Sequence, residues 1–269
     1  MVEPPKIKDA NPSGLLHKAV SLRHFSLDLY EPPEELAALA SNIWHVHWAL
    51  PEGETYEQEN LPHPVQHIVL DPTRGSGLFG CGRKRFSYTV YGTSQVIGLK
   101  LRPGMGRAFY DGPLAAITGE RVPLGDLVGL DADRLVDQTR EGAPLADILL
   151  GFKAALCAVA GAITEPMRMA GAAVRHIEAE QDVRRVSDVA GHLGLGVRQT
   201  QRLFADYVGV SPKWVIARYR MLEAVDTLNA GEAINLSALA LDLGYADQAH
   251  FSNQFKDITG VSPAAYLKA

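Results

Sequence analysis

Gly244-Tyr245-Ala246-Asp247-Gln248-Ala249-His250-Phe251-Ser252-Asn253-Gln254-Phe255-Lys256, then Gly260-Val261-Ser262-Pro263-Ala264-Ala265-Tyr266, is the stretch that decides the fold of this chain. Just before it, Leu236-Ser237-Ala238-Leu239-Ala240 repeats the pattern of Val186-Ser187-Asp188-Val189-Ala190 fifty positions earlier, and Leu243-Gly244 repeats Leu193-Gly194 at the same offset. Phe255, Gly260, Ser262 and Pro263 repeat Phe204, Gly209, Ser211 and Pro212 at an offset of fifty-one. The second copy therefore carries one extra residue in its turn. A period in this range marks a repeated supersecondary unit.

Both copies follow one physical logic. Ser187 and Ser237 are N-cap candidates. Val189, Ala190 and Leu193, or Leu239, Ala240 and Leu243, form the buried face of a first helix. Gly194 or Gly244 permits a left-handed turn residue. A second helix follows, with buried positions at Thr200, Leu203, Phe204 and Tyr207 in the first copy and at Phe251, Phe255 and Ile258 in the second. Ala190 and Ala240 are small where two helices cross closely. This is helix-turn-helix grammar. Between the copies, Ser211-Pro212 opens a long helix through Trp214, Ile216, Tyr219 and Leu228 that ends at Gly231, a rigid spacer.

These residues resemble the AraC/XylS family of bacterial transcription regulators: Gly-aromatic, an Asp, a Phe-Ser pair, Phe-Lys and Gly-x-Ser-Pro-x-x-Tyr, all present between Gly244 and Tyr266. Leu267 departs from the pattern, standing where the family usually has Arg. The resemblance extends over about residues 170–269 and implies an all-α DNA-binding domain with two helix-turn-helix units. It also implies promoter DNA as partner, contact with RNA polymerase, and an activator more often than a repressor. By the same resemblance the groove-facing residues of the first recognition helix are Arg198, Gln199, Gln201 and Arg202. Spacing supports Arg198, Gln201 and Arg202 independently, since they share a face opposite Leu203 and Phe204. The equivalent positions of the second helix are Gln248, Ala249, His250, Ser252 and Asn253. Arg suits the O6/N7 edge of guanine, and Gln or Asn suits adenine.

The N-terminal half reads differently. Trp44-His45-Val46-His47-Trp48, His67-Ile68-Val69-Leu70 and Tyr88-Thr89-Val90-Tyr91 alternate as strands. Turn signals at Pro51-Glu52-Gly53, Asp71-Pro72, Arg74-Gly75-Ser76-Gly77 and Arg102-Pro103-Gly104 separate them. This predicts a small antiparallel barrel or sandwich over residues 1–130. Gly98 to Gly104, Gly112-Pro113-Leu114 and Pro123 to Leu127 look similar to the cupin-like sensor domains that precede this DNA-binding module, which implies a small-molecule effector site. Residues 131–169 read as a helical connector. Leu145, Ile148, Leu149, Phe152 and Leu156 make one apolar stripe, suited to packing on its own domain or to a homodimer interface, and a second helix is predicted from Pro166 through Ile177. The expected class is thus α+β multidomain: a β-rich sensor, a connector, and an all-α domain over 170–269.

Composition bounds the alternatives. The 269 residues are 46% hydrophobic and 21% charged, ordinary for globular domains. No apolar run approaches the ~20 residues of a membrane span, and the polar, Pro-rich start lacks a signal-peptide core, so a cytoplasmic location is expected. Cys81 and Cys157 are too few for a disulfide framework and are expected to be buried. A cupin-type metal enzyme is the main rival, because His45 and His47 share a strand face and Glu52 follows. Yet no His occurs between His67 and His176 to complete a triad. Trp44, Val46 and Trp48 moreover claim the buried face and turn the histidines outward. No metal, cofactor or catalytic residue is expected. The other rival is an interaction module on a decayed helix-turn-helix. The net charge of −5 favours it slightly, as does the near-balance of nine Lys and Arg against eight Asp and Glu over 184–269.

Overall fold

In the computed structural model, residues 5–7, 15–16, 18–180, 182–229 and 234–267 are described. Eight strands form the N-terminal part: β1 (Ser26–Tyr30), β2 (Ala40–Ala49), β3 (Thr55–Asn60), β4 (His67–Leu70), β5 (Gly77–Phe79), β6 (Phe86–Tyr91), β7 (Thr93–Leu101) and β8 (Arg121–Pro123). Six pair antiparallel in the order β1-β2-β7-β4-β5-β8, and β3 and β6 make a separate two-stranded sheet. The three alternating stretches read as strands lie in β2, β4 and β6.

Period-two alternation divides the large sheet's residues between two cores. Ile43, Ile68, Leu70, Ile97, Leu99 and Leu101 face one side, under helices. Trp48, Val69 and Val96 face the other, where they meet Val90 and Tyr88 of the small sheet. The β-rich part is therefore two stacked antiparallel sheets of unequal size. Trp44 lies opposite Gly98 across the β2–β7 pair, and its indole donates to Nδ1 of His67 at 3.1 Å. Burial of that ring, with the Lys100 ammonium as a lesser cause, pushes the His67 pKa down to about 3.

Eleven α-helices are described. α1 (Lys18–Ser21) precedes the sheet, and α2 (Leu124–Val128), α3 (Asp131–Arg140) and α4 (Leu145–Val159) follow it. Ile148, Leu149, Phe152 and Leu156 of α4 and Leu135 of α3 are buried in the same core as the large sheet. Four positions of the α4 stripe are thus covered by its own chain, and Leu145 at its start is half-buried. Cys157 stands off that stripe and is exposed, contrary to the expectation that both cysteines are buried. Cys81 is buried, and burial raises its thiol pKa to about 12.

α5 (Glu165–Ala179) begins one residue before the predicted start, with Pro166 in its first turn. Gly104, at φ 85°, lets α5 approach: a Cβ there would lie 2.4 Å from the Met167 carbonyl oxygen. The remaining helices are α6 (Val186–Leu193), α7 (Val197–Tyr207), α8 (Pro212–Asn229), α9 (Leu236–Asp242), α10 (Gln248–Thr259) and α11 (Pro263–Tyr266). α8 runs at least to Asn229, and the expected end at Gly231 lies outside the described residues. Among the described residues, no helix is long and apolar enough to cross a membrane.

The β-rich and helical parts are docked. Leu16 and Leu61 enter the core around α8, α9 and α10, and Cys81 enters that of α5 to α8. The Gln66 amide donates to the Val208 carbonyl at 2.9 Å, and the Trp214 indole donates to the Arg83 carbonyl at 3.2 Å. Arg218 on α8 is fully buried and donates through Nε to the Pro62 carbonyl.

Candidate nucleic-acid interface

α6 and α7 form one helix-turn-helix unit and α9 and α10 the other. Their turns are built alike. Gly194 and Gly244 are left-handed, at φ 64° and 76°. The residue after each donates five positions back, Leu195 to the Ala190 carbonyl at 3.0 Å and Tyr245 to the Ala240 carbonyl at 2.8 Å. That pairing satisfies carbonyls the helix end would otherwise strand. α7 starts three residues after Gly194 and α10 four after Gly244. The extra residue of the second copy is therefore in the turn.

The first helices are capped differently from expectation. Ser187 and Ser237 are not N-caps, because each helix starts one residue before them. Asn235 caps α9, its Oδ1 accepting from Ser237 N at 2.9 Å and Ala238 N at 3.2 Å. In α6 the Asp188 carboxylate reaches back to accept from Arg185 N at 2.7 Å and Arg184 N at 3.0 Å. Those two amides hold the Asp188 pKa below the usual carboxylate range. Asp247 caps α10 through His250 N at 2.7 Å.

Most of the expected buried positions are buried, while Leu193, Tyr207 and Ile258 are only half-buried at the margins of these cores. Val189, Ala190, Thr200, Leu203 and Phe204 are buried in the first unit, and Leu239, Ala240, Leu243, Phe251 and Phe255 in the second. α8 is their common spine: Val215 and Ile216 pack with the first unit, and Met221, Ala224, Val225 and Leu228 with the second. At ~1.5 Å per residue, its 18 residues span about 27 Å.

The outer faces of α7 and α10 are polar. Arg198, Gln199, Gln201 and Arg202 are exposed on α7, and Gln248, Ala249, His250 and Asn253 on α10, with Ser252 half-buried. Two of these side chains are already engaged. Gln199 Oε1 accepts from Gly196 N at 2.9 Å, closing the start of α7. Ser237 donates to Gln248 Oε1 at 2.6 Å, tying α10 to α9. Arg198, Gln201 and Arg202 form one exposed face, while His250 packs edge-on to Tyr245 at 5.3 Å between ring centroids.

A contact between the units was not legible in the sequence. Arg220 of α8 donates to the Arg184 carbonyl at 3.1 Å and lies 5.9 Å from the Tyr245 ring centroid. The Arg184 side chain crosses Gly244, where a Cβ would approach it to 2.8 Å. The entry of the first unit is thereby fastened to the turn of the second. No periodicity connects residues 184, 220 and 244, so no local signal exposes this clasp.

Residues 189–269 match the model of a helix-turn-helix domain. The C-terminal part of this chain carries a helix-turn-helix domain. Within this domain the matched segment runs from the buried face of α6 to the chain's last residue. Residues 28–123 match a second model, described as Domain of unknown function (DUF6597), which covers β1 to β8. An uncharacterized HTH-type transcriptional regulator of Haemophilus influenzae is 32% identical over 68 residues, covering 25% of this chain and 22% of that protein. The regulatory protein PocR of Salmonella typhimurium is 30% identical over 95 residues, covering 35% of this chain and 31% of PocR. The chain thus spans less than a third of the length of either curated relative. Among solved structures, the C-terminal domain of AraT from Geobacillus stearothermophilus is similar at 25% identity and TM-score 0.34, over 39% of this chain and 85% of that one. ToxT from Vibrio cholerae is similar at 16% identity and TM-score 0.38, over 91% and 98%. At these TM-scores neither likeness bears on function.

Proposed function

We propose that the chain is a sequence-specific DNA-binding transcription regulator of bacterial promoters, acting in the cytoplasm. The observation that carries the proposal is the pair of equivalent helix-turn-helix units on one rigid helix, each with a buried inner face and an exposed polar outer face. Mechanistically, α7 and α10 enter successive major grooves on one side of the duplex, about 34 Å apart by groove geometry. The resemblance of residues 170–269 to the AraC/XylS family supports activation through contact with RNA polymerase.

The division of labour follows the same reading: a β-rich sensor over about 1–130, helices over 131–169, and the DNA-binding domain over about 170–269. Because α3 and α4 share the sheet's core, they move with the sensor. A cleft of about 930 Å³ between the sheet and helices α5 and α8, lined by Lys100, Arg102, Glu178, Tyr219 and Glu223 among others, is a place where a small-molecule effector would bias how the two units are presented. Homodimerisation through the α4 stripe is disfavoured by its burial.

Arg202→Ala tests base reading. It should weaken specific binding by about 1–3 kcal/mol and relax preference at one base pair. Equal weakening on specific and random duplex, read by mobility shift, reduces Arg202 to a phosphate contact.

Salt dependence tests the reading as a whole. Arg218 is buried and Arg220 is engaged in the clasp, which leaves Arg175, Arg184, Arg185, Arg198, Arg202, Lys213 and Lys256 exposed among the described cations of the domain. Backbone amides and helix N-termini must then do much of the positioning. A titration of the full chain on its genome-mapped site at several salt concentrations should give a shallow slope, equivalent to roughly three to five phosphate contacts. Failure to bind any promoter DNA would replace this reading with that of an interaction module.

A further inference from the structure

Asp28 on β1 and His45 on β2 are direct cross-strand partners. His47 lies two residues further along β2, so all three side chains stand on one face of the sheet. One donor atom from each lies within 4.8 Å of the other two. The imidazole rings are 4.9 Å apart between centroids, and His47 Nε2 is 3.7 Å from Asp28 Oδ2. His45 is not turned out to solvent as its strand position predicts. It is buried, with Nε2 2.8 Å from Gln95 Oε1.

That contact sets the tautomer of His45. The Gln95 amide nitrogen donates to the Thr139 carbonyl at the end of α3, at 3.1 Å, so its oxygen is the atom that faces His45 and accepts the Nε2 proton. Nδ1 of His45 then keeps its lone pair. On the carboxylate, Lys6 Nζ sits 3.0 Å from Oδ1 and leaves Oδ2 on the imidazole side. Two of the three donors, His45 and Asp28, thus have a partner orienting them from behind, the pattern that metal ligands show.

We infer that Asp28, His45 and His47 form a binding site for a divalent transition-metal ion, held by two imidazole nitrogens and one carboxylate oxygen. Imidazole donors select Zn²⁺, Fe²⁺, Co²⁺ or Ni²⁺ over Mg²⁺ and Ca²⁺. Three protein ligands leave coordination positions open, and the adjoining cleft of about 610 Å³, lined by His47, Gln95 and Ser94 among others, gives them access to water or a small ligand. Glu52, the carboxylate the sequence placed nearest, takes no part. The ion would tie β1, at the edge of the large sheet, to β2 and, through Gln95, to the end of α3. This assignment is independent of the DNA-binding reading, because its test uses no DNA.

The test is metal retention by the full chain. Chelator-stripped protein is dialysed against Zn²⁺ and, separately, Co²⁺, then assayed by elemental analysis and by the visible spectrum of Co²⁺. About one equivalent should be retained, with Co²⁺ bands of an N/O site. His47→Gln and Asp28→Asn should each weaken binding at least tenfold with an unchanged far-UV circular dichroism spectrum. His47 tolerates the change because its side chain is 46% exposed. Gln95→Ala, which removes only an orienting partner, should weaken binding about 10–100-fold. His192→Gln is the control, since His192 stacks on His176 at 3.7 Å and offers the protein another histidine pair. Negligible retention by the wild type, retention unaffected by His47→Gln, or loss only in His192→Gln would each overturn the assignment.

Discussion

Phe255→Ala is expected to lower the stability of the full chain by about 3–5 kcal/mol, a large part of what holds a domain together. Phe255 is fully buried, and its ring meets Phe251 at 5.7 Å and Tyr266 at 5.8 Å, both edge-on. Truncation therefore opens a cavity between α10 and α11 that neither neighbour can fill while keeping its own helix in place. α10 presents Gln248, His250 and Asn253 outward only because Phe251 and Phe255 anchor its inner side, so the same substitution should loosen the second unit's outer face. Thermal and denaturant unfolding check it. An unchanged midpoint would mean that the α10 register is wrong.

Gly98→Ala should destabilise the β-rich part by about 1–3 kcal/mol, the range for overpacking a filled core. A Cβ at position 98 would lie 2.1 Å from the Trp44 indole carbons, a distance no relaxation of the methyl itself can relieve. The indole must swing off β7, which breaks its hydrogen bond to His67 Nδ1 and leaves that nitrogen without its donor. Tryptophan fluorescence should shift together with the melting temperature. A variant with wild-type emission and melting would show that the indole does not lie over Gly98.

These two substitutions differ in how far the sequence foretold them. Phe255 stands out because Phe204 sits at the matching place in the first unit, and because 251, 255 and 258 share a helical face. Gly98 carries no such mark. Nothing in Ile97-Gly98-Leu99 says that the residue opposite is Trp44, since strand register is a property of the pair and not of either segment. The caps fall between these cases. Ser187 and Ser237 have the chemistry of N-caps, yet Asp188 and Asn235 do the capping. Acceptors within a few residues compete for the same amides, and one-residue shifts of a helix start decide among them.

From sequence alone came the fifty-residue repeat, the two helix-turn-helix units, their left-handed glycines, their buried faces and the polar outer face of α7, along with strands at β2, β4 and β6. All of these rest on interactions within a few residues, where 3.6- and two-residue periods and the steric freedom of glycine act directly. Tertiary structure decided the rest. It buried the α4 stripe against the sheet and Arg218 beneath Pro62, fastened Arg184 and Arg220 across Gly244, and set Asp28 beside His45 and His47. Each of those pairings joins segments far apart in the chain, and its partner is chosen by strand register and by which surfaces remain to be covered once the local elements have formed.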